Sequence, residues 1–313
     1  MKTKRVILMG GLGNQLFQYA LAMRLCSDKD SKIILDQNLG TLRFNKQGQP
    51  ELEGFLLSDS IALDETRLTP KLPKRVVGLL IRAHLNIKLP YTYLSNSFLR
   101  LFAKIVLSIY FKENIKIFVA QDAGMNSSFE MNSKNLFIGY FQTYRYSDSE
   151  QEYLELKSIT PKDFGLTYLE LATRAQVEQP LVVHVRLTDY RVEEKFGVPS
   201  FEYYRQAIEM HWQTNRYKKI WLFSDDSESS LYFIPEEFRK YVVELTDEEL
   251  DSVQTLNVMR LGHGFVLGNS TFSWWAAYLS KNVNPLVIFP SPWFTGMPDP
   301  KEMWPISWVP IPR

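Results

Sequence analysis

The feature that most narrows the fold is a repeated order of short apolar runs, glycine or polar turns, and amphipathic stretches. Residues 5–9 (RVILM) form an apolar run that reads as a buried strand. Gly10-Gly11-Leu12-Gly13 breaks it, and residues 14–27 follow with Leu16, Phe17, Ala20, Leu21 and Leu25 at helical spacing. Residues 32–35 (KIIL) return to strand character and end at Asp36. Strand, glycine turn, helix and strand in that order make a βαβ unit, which needs a parallel sheet covered by helices. After Pro161 and Gly165 the alternation restarts. Helices are predicted over 166–175, 201–212, 251–262 and 272–279, and strands over 180–185, 219–223, 264–267 and 285–289. At 313 residues the chain holds two domains of ordinary size. The prediction is an α/β protein of two successive Rossmann-like domains, 1–160 and 161–313, with a cleft between them. Two readings stay open for the tail, 296–313: it stays with the second domain or crosses back to the first.

Charge and composition remove several function classes. Lys plus Arg number 36 and Asp plus Glu 35, a net charge of +1, which gives no global case for nucleic-acid binding. The single cysteine, Cys26, excludes an internal disulfide framework and a multi-cysteine zinc site, and fits a reducing compartment. The apolar start is too short for a secretory signal, and residues 98–111, interrupted by Arg100 and Lys104, fall short of a membrane span. A cytoplasmic chain is expected. Residues 71–118 are the exception to the even charge: nine Lys and Arg stand there against Glu113 alone. Two readings stay open for this segment, solvated helices with basic outer faces or a patch drawn to the anionic inner face of the cytoplasmic membrane.

Four places carry candidate chemistry. Gly11 and Gly13, between a strand and a helix, let a phosphate approach helix N–H groups. A dinucleotide fingerprint would need glycine where Leu16 stands, although Asp36 is placed as a ribose-binding acid would be. An NAD-dependent oxidoreductase with a degenerate fingerprint is therefore one alternative. Residues 184–190 (HVRLTDY) leave a buried strand, and alternation sends His184, Arg186 and Thr188 to one side. Arg186, at the exit of a parallel strand, suits a diphosphate, or else forms an ion pair with Asp189. Asp225 and Asp226 end another strand, where they bind a ribose, a base edge or a metal, or cap the next helix. Ser270 and Thr271 precede a helix and either receive phosphate or cap it. His211 and His263 have no ligand partners at metal-like spacing and are expected to be structural.

Taken together, the motifs resemble those of the alpha-1,2-fucosyltransferases. Residues 10–20 (GGLGNQLFQYA) look like the family's opening motif, and residues 139–146 (GYFQTYRY) are similar to its mid-chain segment. Residues 184–190 look like its H-x-R-R-G-D-Y motif, and residues 269–279 (NSTFSWWAAYL) match its C-terminal one. The resemblance implies a GT-B architecture without a required metal or cofactor. It further implies GDP-L-fucose as donor substrate and a β-galactoside or lipid-linked oligosaccharide as acceptor. An alpha-1,2 product for bacterial surface polysaccharide would follow. By this reading Arg186 neutralises the β-phosphate, and Gly11, Gly13, Asn14, His184, Asp225, Asp226, Ser270 and Thr271 bind the donor. Asp189 and Glu194 are equal candidates for the general base. The chain departs from the family at Leu187, in place of a second arginine, and at Thr188, in place of glycine. It also has Thr255 in place of an aspartate, for which Asp251, one helical turn earlier, is the substitute in reading guanine. A non-catalytic sugar-binding protein, stacking sugars on exposed Trp293, Trp304 and Trp308, is the other alternative.

Overall fold

The computed structural model describes residues 2–26, 31–39, 51–64, 71–84, 96–188, 190–191, 195–214, 216–245 and 250–313. The chain divides into two compact units. One holds Met1–Glu53, Leu57–Leu156 and Pro300–Met303, and the other Gly54–Leu56, Lys157–Asp299 and Trp304–Arg313.

In the first unit, β1 (Lys2–Ile7) leads through α1 (Leu12–Cys26) to β2 (Ser31–Asp36) and then to β3 (Ile61–Asp64). The chain returns through α2 (Lys71–His84) and α3 (Asn96–Phe111) to β4 (Ile117–Val119) and β5 (Leu136–Ile138). The sheet order is β3-β2-β1-β5-β4, with every pair parallel. β1 starts three residues before the apolar run because its polar Lys2, Thr3 and Lys4 still ladder with Ser31, Lys32 and Ile33. Arg5 is accommodated inside the unit by Asp64, 3.5 Å away, and by the ring of Phe111, 4.2 Å from the guanidinium carbon. Val76, Val77 and Leu80 of α2 pack with Ala103 and Leu107 of α3, and this layer covers Ile7 and Ile138 of the sheet.

In the second unit, α4 (Gly165–Glu178) precedes β6 (Leu181–Val185), α5 (Phe201–Trp212), β7 (Ile220–Ser224) and β8 (Val242–Leu245). Then come α6 (Ser252–Met259), β9 (Gly264–Val266), α7 (Thr271–Tyr278), β10 (Leu286–Ser291) and β11 (Val309–Pro312). The order β8-β7-β6-β9-β10-β11, all parallel, is that of a Rossmann sheet. Two α/β units in succession are the domain composition of the GT-B class. All five residues of β6 are buried, as a central parallel strand requires. Val185 and Leu187 enter the core with Tyr203, Tyr204 and Ile208 of α5. α5 starts where Ser200 accepts a hydrogen bond from the Tyr203 amide. Arg260, fully buried after α6, donates to the carbonyls of Leu279, Ile159 and Lys157 and to Asn257 Oδ1, at 2.7–3.0 Å. It ties the entry of the second unit to α6 and α7.

The tryptophans expected to be exposed are not. Trp293 is fully buried, Trp308 nearly so, and Trp304 stacks on Phe289 with ring centroids 4.7 Å apart. Trp293 and Trp308 are core residues, their aromatic area being worth more inside than the indole N–H loses, which removes them as platforms for a sugar-binding module, while Trp304 is half-buried. Asp36 is likewise a structural acid. Its buried carboxylate accepts from the amides of Asn38 and Leu39, at 2.9 and 2.8 Å, and so closes a turn instead of facing a ribose.

His211 is structural, bonded to the Tyr217 hydroxyl and the Phe265 carbonyl at 3.0 and 3.1 Å. Burial pushes its imidazole down to about 4. Because that value is below the unfolded one, the unfolded chain takes up the proton first. Stability is retained above about pH 6.5 and lost as pH falls toward 4, by an amount on the order of 3 kcal/mol. Urea unfolding at pH 7 and pH 4.5 should show this loss in the wild type and a visibly smaller one in His211→Gln.

Candidate active site

Each sheet has one point where the chain, having built outward on one side of its first strand, returns to the other. Ligands in open α/β sheets sit at the carboxyl ends of strands flanking such a point. In the first unit it lies between β1 and β5, and in the second between β6 and β9. The four motifs singled out in the sequence leave these four strands.

In the first unit, β1 exits into Gly10, whose φ of +72° is a left-handed conformation open to glycine. A Cβ at Gly10 would stand 2.5 Å from Asn14 Nδ2. The glycine that the backbone requires is therefore Gly10, ahead of the predicted pair. The carbonyl of Gly11 accepts from the Asn14 and Gln15 amides and opens α1, while Gly13 lies buried inside that helix. Gln18 spans the exits of both strands, accepting from the Met9 amide and donating to the Gly139 carbonyl, at 2.9 and 3.0 Å. Gln142 Nε2 then reaches Asn14 Oδ1 at 2.8 Å, and Gln142 Oε1 is buried with no hydrogen-bond partner among the described residues. Residues 10–20 and 139–146, far apart in sequence, are thus one polar cluster.

In the second unit, Asp225 organises the exit of β6. Its carboxylate pairs with Arg186 Nε at 3.1 Å and accepts from the amides of Leu187 and Thr188 at 2.8 and 3.1 Å, and from the Thr188 hydroxyl. Burial pushes the Asp225 carboxyl up, but Arg186, the Thr188 hydroxyl and the Leu187 amide outweigh it and hold it below its usual value. Asp225 is thereby a counter-ion of Arg186, a pairing that sequence reading did not include. Asp189 and Glu194 lie outside the described residues. Asp226 caps the short helix Ser227–Ser230 through the Ser229 amide and pairs with Arg191 at 2.8 Å. Both carboxylates are occupied by the chain itself.

His184 is buried beside Arg186. Burial, then the neighbouring guanidinium charge, push its imidazole down to about 4, so it is neutral at pH 7. Among the described residues its Nδ1 has no hydrogen-bond partner. The exit of β9 approaches closely because residue 268 is glycine: a Cβ there would come within 2.9 Å of the His184 carbonyl and 3.3 Å of the Tyr204 hydroxyl. Ser270 then caps α7, accepting from the Phe272 amide at 3.3 Å, and Thr271 is its first residue. Asn269 donates to the carbonyls of Phe196 and Gly197, both at 2.9 Å, and its own carbonyl accepts from the Tyr190 hydroxyl at 3.0 Å. The arginine, the neutral histidine and the start of α7 therefore meet at one end of the sheet, an arrangement suited to an oxyanion of a phosphate. Neither Gly268 nor Asn269 was singled out from sequence as a site residue, although Asn269 opens the C-terminal motif and Gly268 directly precedes it. Asp251 caps α6 in a capping box with Gln254, and Thr255 is buried within that helix. Among the described residues, no three His, Cys, Asp or Glu side chains gather to hold a metal ion.

An arginine and a helix start at the switch point of a parallel sheet are what a nucleotide-sugar transferase presents to a leaving phosphate. The chain belongs to glycosyl transferase family 11, whose model matches residues 4–296. It is 28% identical over 295 residues to an alpha-1,2-colitosyltransferase of Escherichia coli, covering 92% of this chain and 91% of that protein. It is 26% identical over 299 residues to the Escherichia coli O-antigen biosynthesis glycosyltransferase WbnK, covering 92% and 94%. Among solved structures, it is similar to the ADP-heptose LPS heptosyltransferase II of E. coli, with a TM-score of 0.48, 11% identity, and 99% and 90% coverage. Family membership sets aside the oxidoreductase alternative.

Removing Asp225 leaves two amides and a guanidinium without their shared acceptor. Asp225→Ala should cost about 2–4 kcal/mol in urea unfolding, and Thr188→Val about 1 kcal/mol. Gly10→Ala, strained at positive φ and crowding Asn14, should cost about 1–2 kcal/mol in the same measurement.

Proposed function

We propose that this transferase moves L-fucose from GDP-L-fucose to the 2-hydroxyl of a terminal β-galactoside, with inversion, in building a bacterial O-antigen. The observation that carries the reading is Arg186, anchored by Asp225 at the exit of the central strand, beside a neutral His184 and near the start of α7. The bond from the anomeric carbon to the β-phosphate oxygen breaks, and a bond to the acceptor oxygen forms on the opposite face. Negative charge grows on the departing GDP as this happens. A fixed cation there stabilises the transition state more than the bound donor, since the donor carries less charge on that oxygen. Arg186 supplies this charge in a reaction that needs no metal. Ser270 and Thr271 donate hydrogen bonds to the same phosphates, and the N–H of the neutral His184 ring donates another without adding charge.

The acceptor hydroxyl loses its proton to a carboxylate, for which Asp189 and Glu194 are the proposed groups. The turn at Gly11, Gly13 and Asn14 is the first unit's proposed substrate contact. Asp225 and Asp226 act on the donor through Arg186 and Arg191, a positioning role. A lipid-linked oligosaccharide is the natural form of the acceptor in O-antigen assembly. The alpha-1,2-colitosyltransferase among the relatives makes GDP-colitose the second donor to be tested. Colitose is L-fucose without its 3-hydroxyl, so the two donors differ only away from the diphosphate.

The experiment is GDP release in EDTA with each donor, using lactose and Gal-β1,3-GalNAc as acceptors. Acceptor-dependent turnover with GDP-fucose is expected, reduced about 10²- to 10³-fold in Arg186→Ala. Turnover only after Mg²⁺ is added would contradict the metal-free reading, and turnover with GDP-colitose alone would move the donor. For the base, one of Asp189→Ala and Glu194→Ala should lower kcat while leaving GDP affinity unchanged.

A further inference from the structure

The basic segment of the first unit carries an apolar surface that the fold leaves uncovered. On α3, Ala103 and Leu107 face the core, with Leu99, Val106 and Tyr110 packed around them. Phe98, Leu101, Phe102, Ile105 and Ile109 do not, and stand between 42% and 73% exposed. Their spacing along the helix puts all five on one stripe, turned away from the Ala103–Leu107 face. Arg100 and Lys104, both exposed, fall on the flank between the stripe and the core face. α2, packed against α3, adds exposed Leu72 and Leu79 and exposed Lys71 and Arg75. Exposed Lys112 and Lys116 follow α3.

The charge of this region is out of line with the rest of the chain. Residues 71–118 carry nine Lys and Arg and one Glu, 9 − 1 = +8, so a chain of net charge +1 holds 1 − 8 = −7 elsewhere. The charge is therefore segregated onto the segment that also bears the apolar stripe. Among the described residues no helix is long and apolar enough to cross a membrane. A helix of 16 residues, about 24 Å long, instead suits lying flat, with its stripe among acyl chains and its cations at headgroup level.

We propose that the α2–α3 face docks on the surface of an anionic phospholipid bilayer, the stripe of α3 entering the interface. The alternative of a second copy seated on the stripe is disfavoured by charge, since two-fold pairing would bring the Arg100 and Lys104 flanks of both copies together. The bilayer satisfies both halves of the face at once, since each Lys or Arg near an anionic leaflet adds attraction and each exposed apolar side chain adds buried area.

The test is co-sedimentation of the full chain with phosphatidylcholine vesicles and with phosphatidylcholine–phosphatidylglycerol vesicles, at low and at physiological salt. Two variants accompany it, Arg100→Ser with Lys104→Ser, and Phe98→Ser with Ile105→Ser and Ile109→Ser. Circular dichroism and GDP binding check that each variant is folded. The wild type should sediment with the mixed vesicles and weaken as salt rises. The charge variant should partition on the order of tenfold less, and the apolar variant should lose binding to a similar or greater extent. Equal sedimentation with both vesicles, none with either, or undiminished binding of either folded variant would overturn the proposal. So would a dimer in solution that the apolar variant dissociates.

Discussion

One carboxylate, Asp225, determines what the carboxyl end of the second sheet can do. A guanidinium at the exit of a buried strand is useful only if it is held, and a free arginine side chain loses that position to rotamer freedom. Asp225 takes Arg186 through Nε and receives the next two backbone amides on the same group, so the turn and the cation are set together. The sheet provides the site in turn, because β7 lies beside β6 in parallel register and delivers Asp225 next to Arg186. The cost of burying the carboxylate is offset by three hydrogen bonds and an ion pair, which is why it stays ionised.

The separation of the motifs in sequence has a topological cause. A doubly wound sheet places its first strand centrally and reaches that strand's other neighbour only after a long excursion. Residues 10–20 and 139–146 are therefore separated by most of the first unit, Gln18 and Gly139 standing 121 positions apart, yet Gln18 and Gln142 bridge them directly. Residues 184–190 and 269–279 are related in the same way in the second unit, through the close approach that Gly268 permits. Each pair needs the whole intervening α/β layer to meet.

Much of this was legible in the sequence. The interior strands and helices of the second unit were predicted to within a few residues, because parallel strands buried on both faces read as unbroken apolar runs. Phe201–Trp212 matched at both ends, its start marked by the capping Ser200. The edge strands were not legible. β8 is only partly buried and β11 contains two prolines, which an edge position tolerates and a central one does not. β4 and β5 are three residues each, too short for periodicity to register. In the site, Arg186 and Ser270 were visible from their places after strands. The pairing of Arg186 with Asp225 was not, since nothing local points from Arg186 to a carboxylate 39 residues on. Trp293 and Trp308 were read as exposed because a tryptophan near a loop looks the same in sequence whether it faces water or core.

The proposed role of Arg186 is to act on the β-phosphate of the leaving nucleotide. It is tested most directly by calorimetric titration of the wild type and Arg186→Ala with GDP and with GMP. The wild type should bind GDP more tightly than GMP, and the variant should lose most of that preference, on the order of tenfold or more, while its GMP affinity stays unchanged. An equal loss for both nucleotides, or an intact preference for GDP in the variant, would contradict the account.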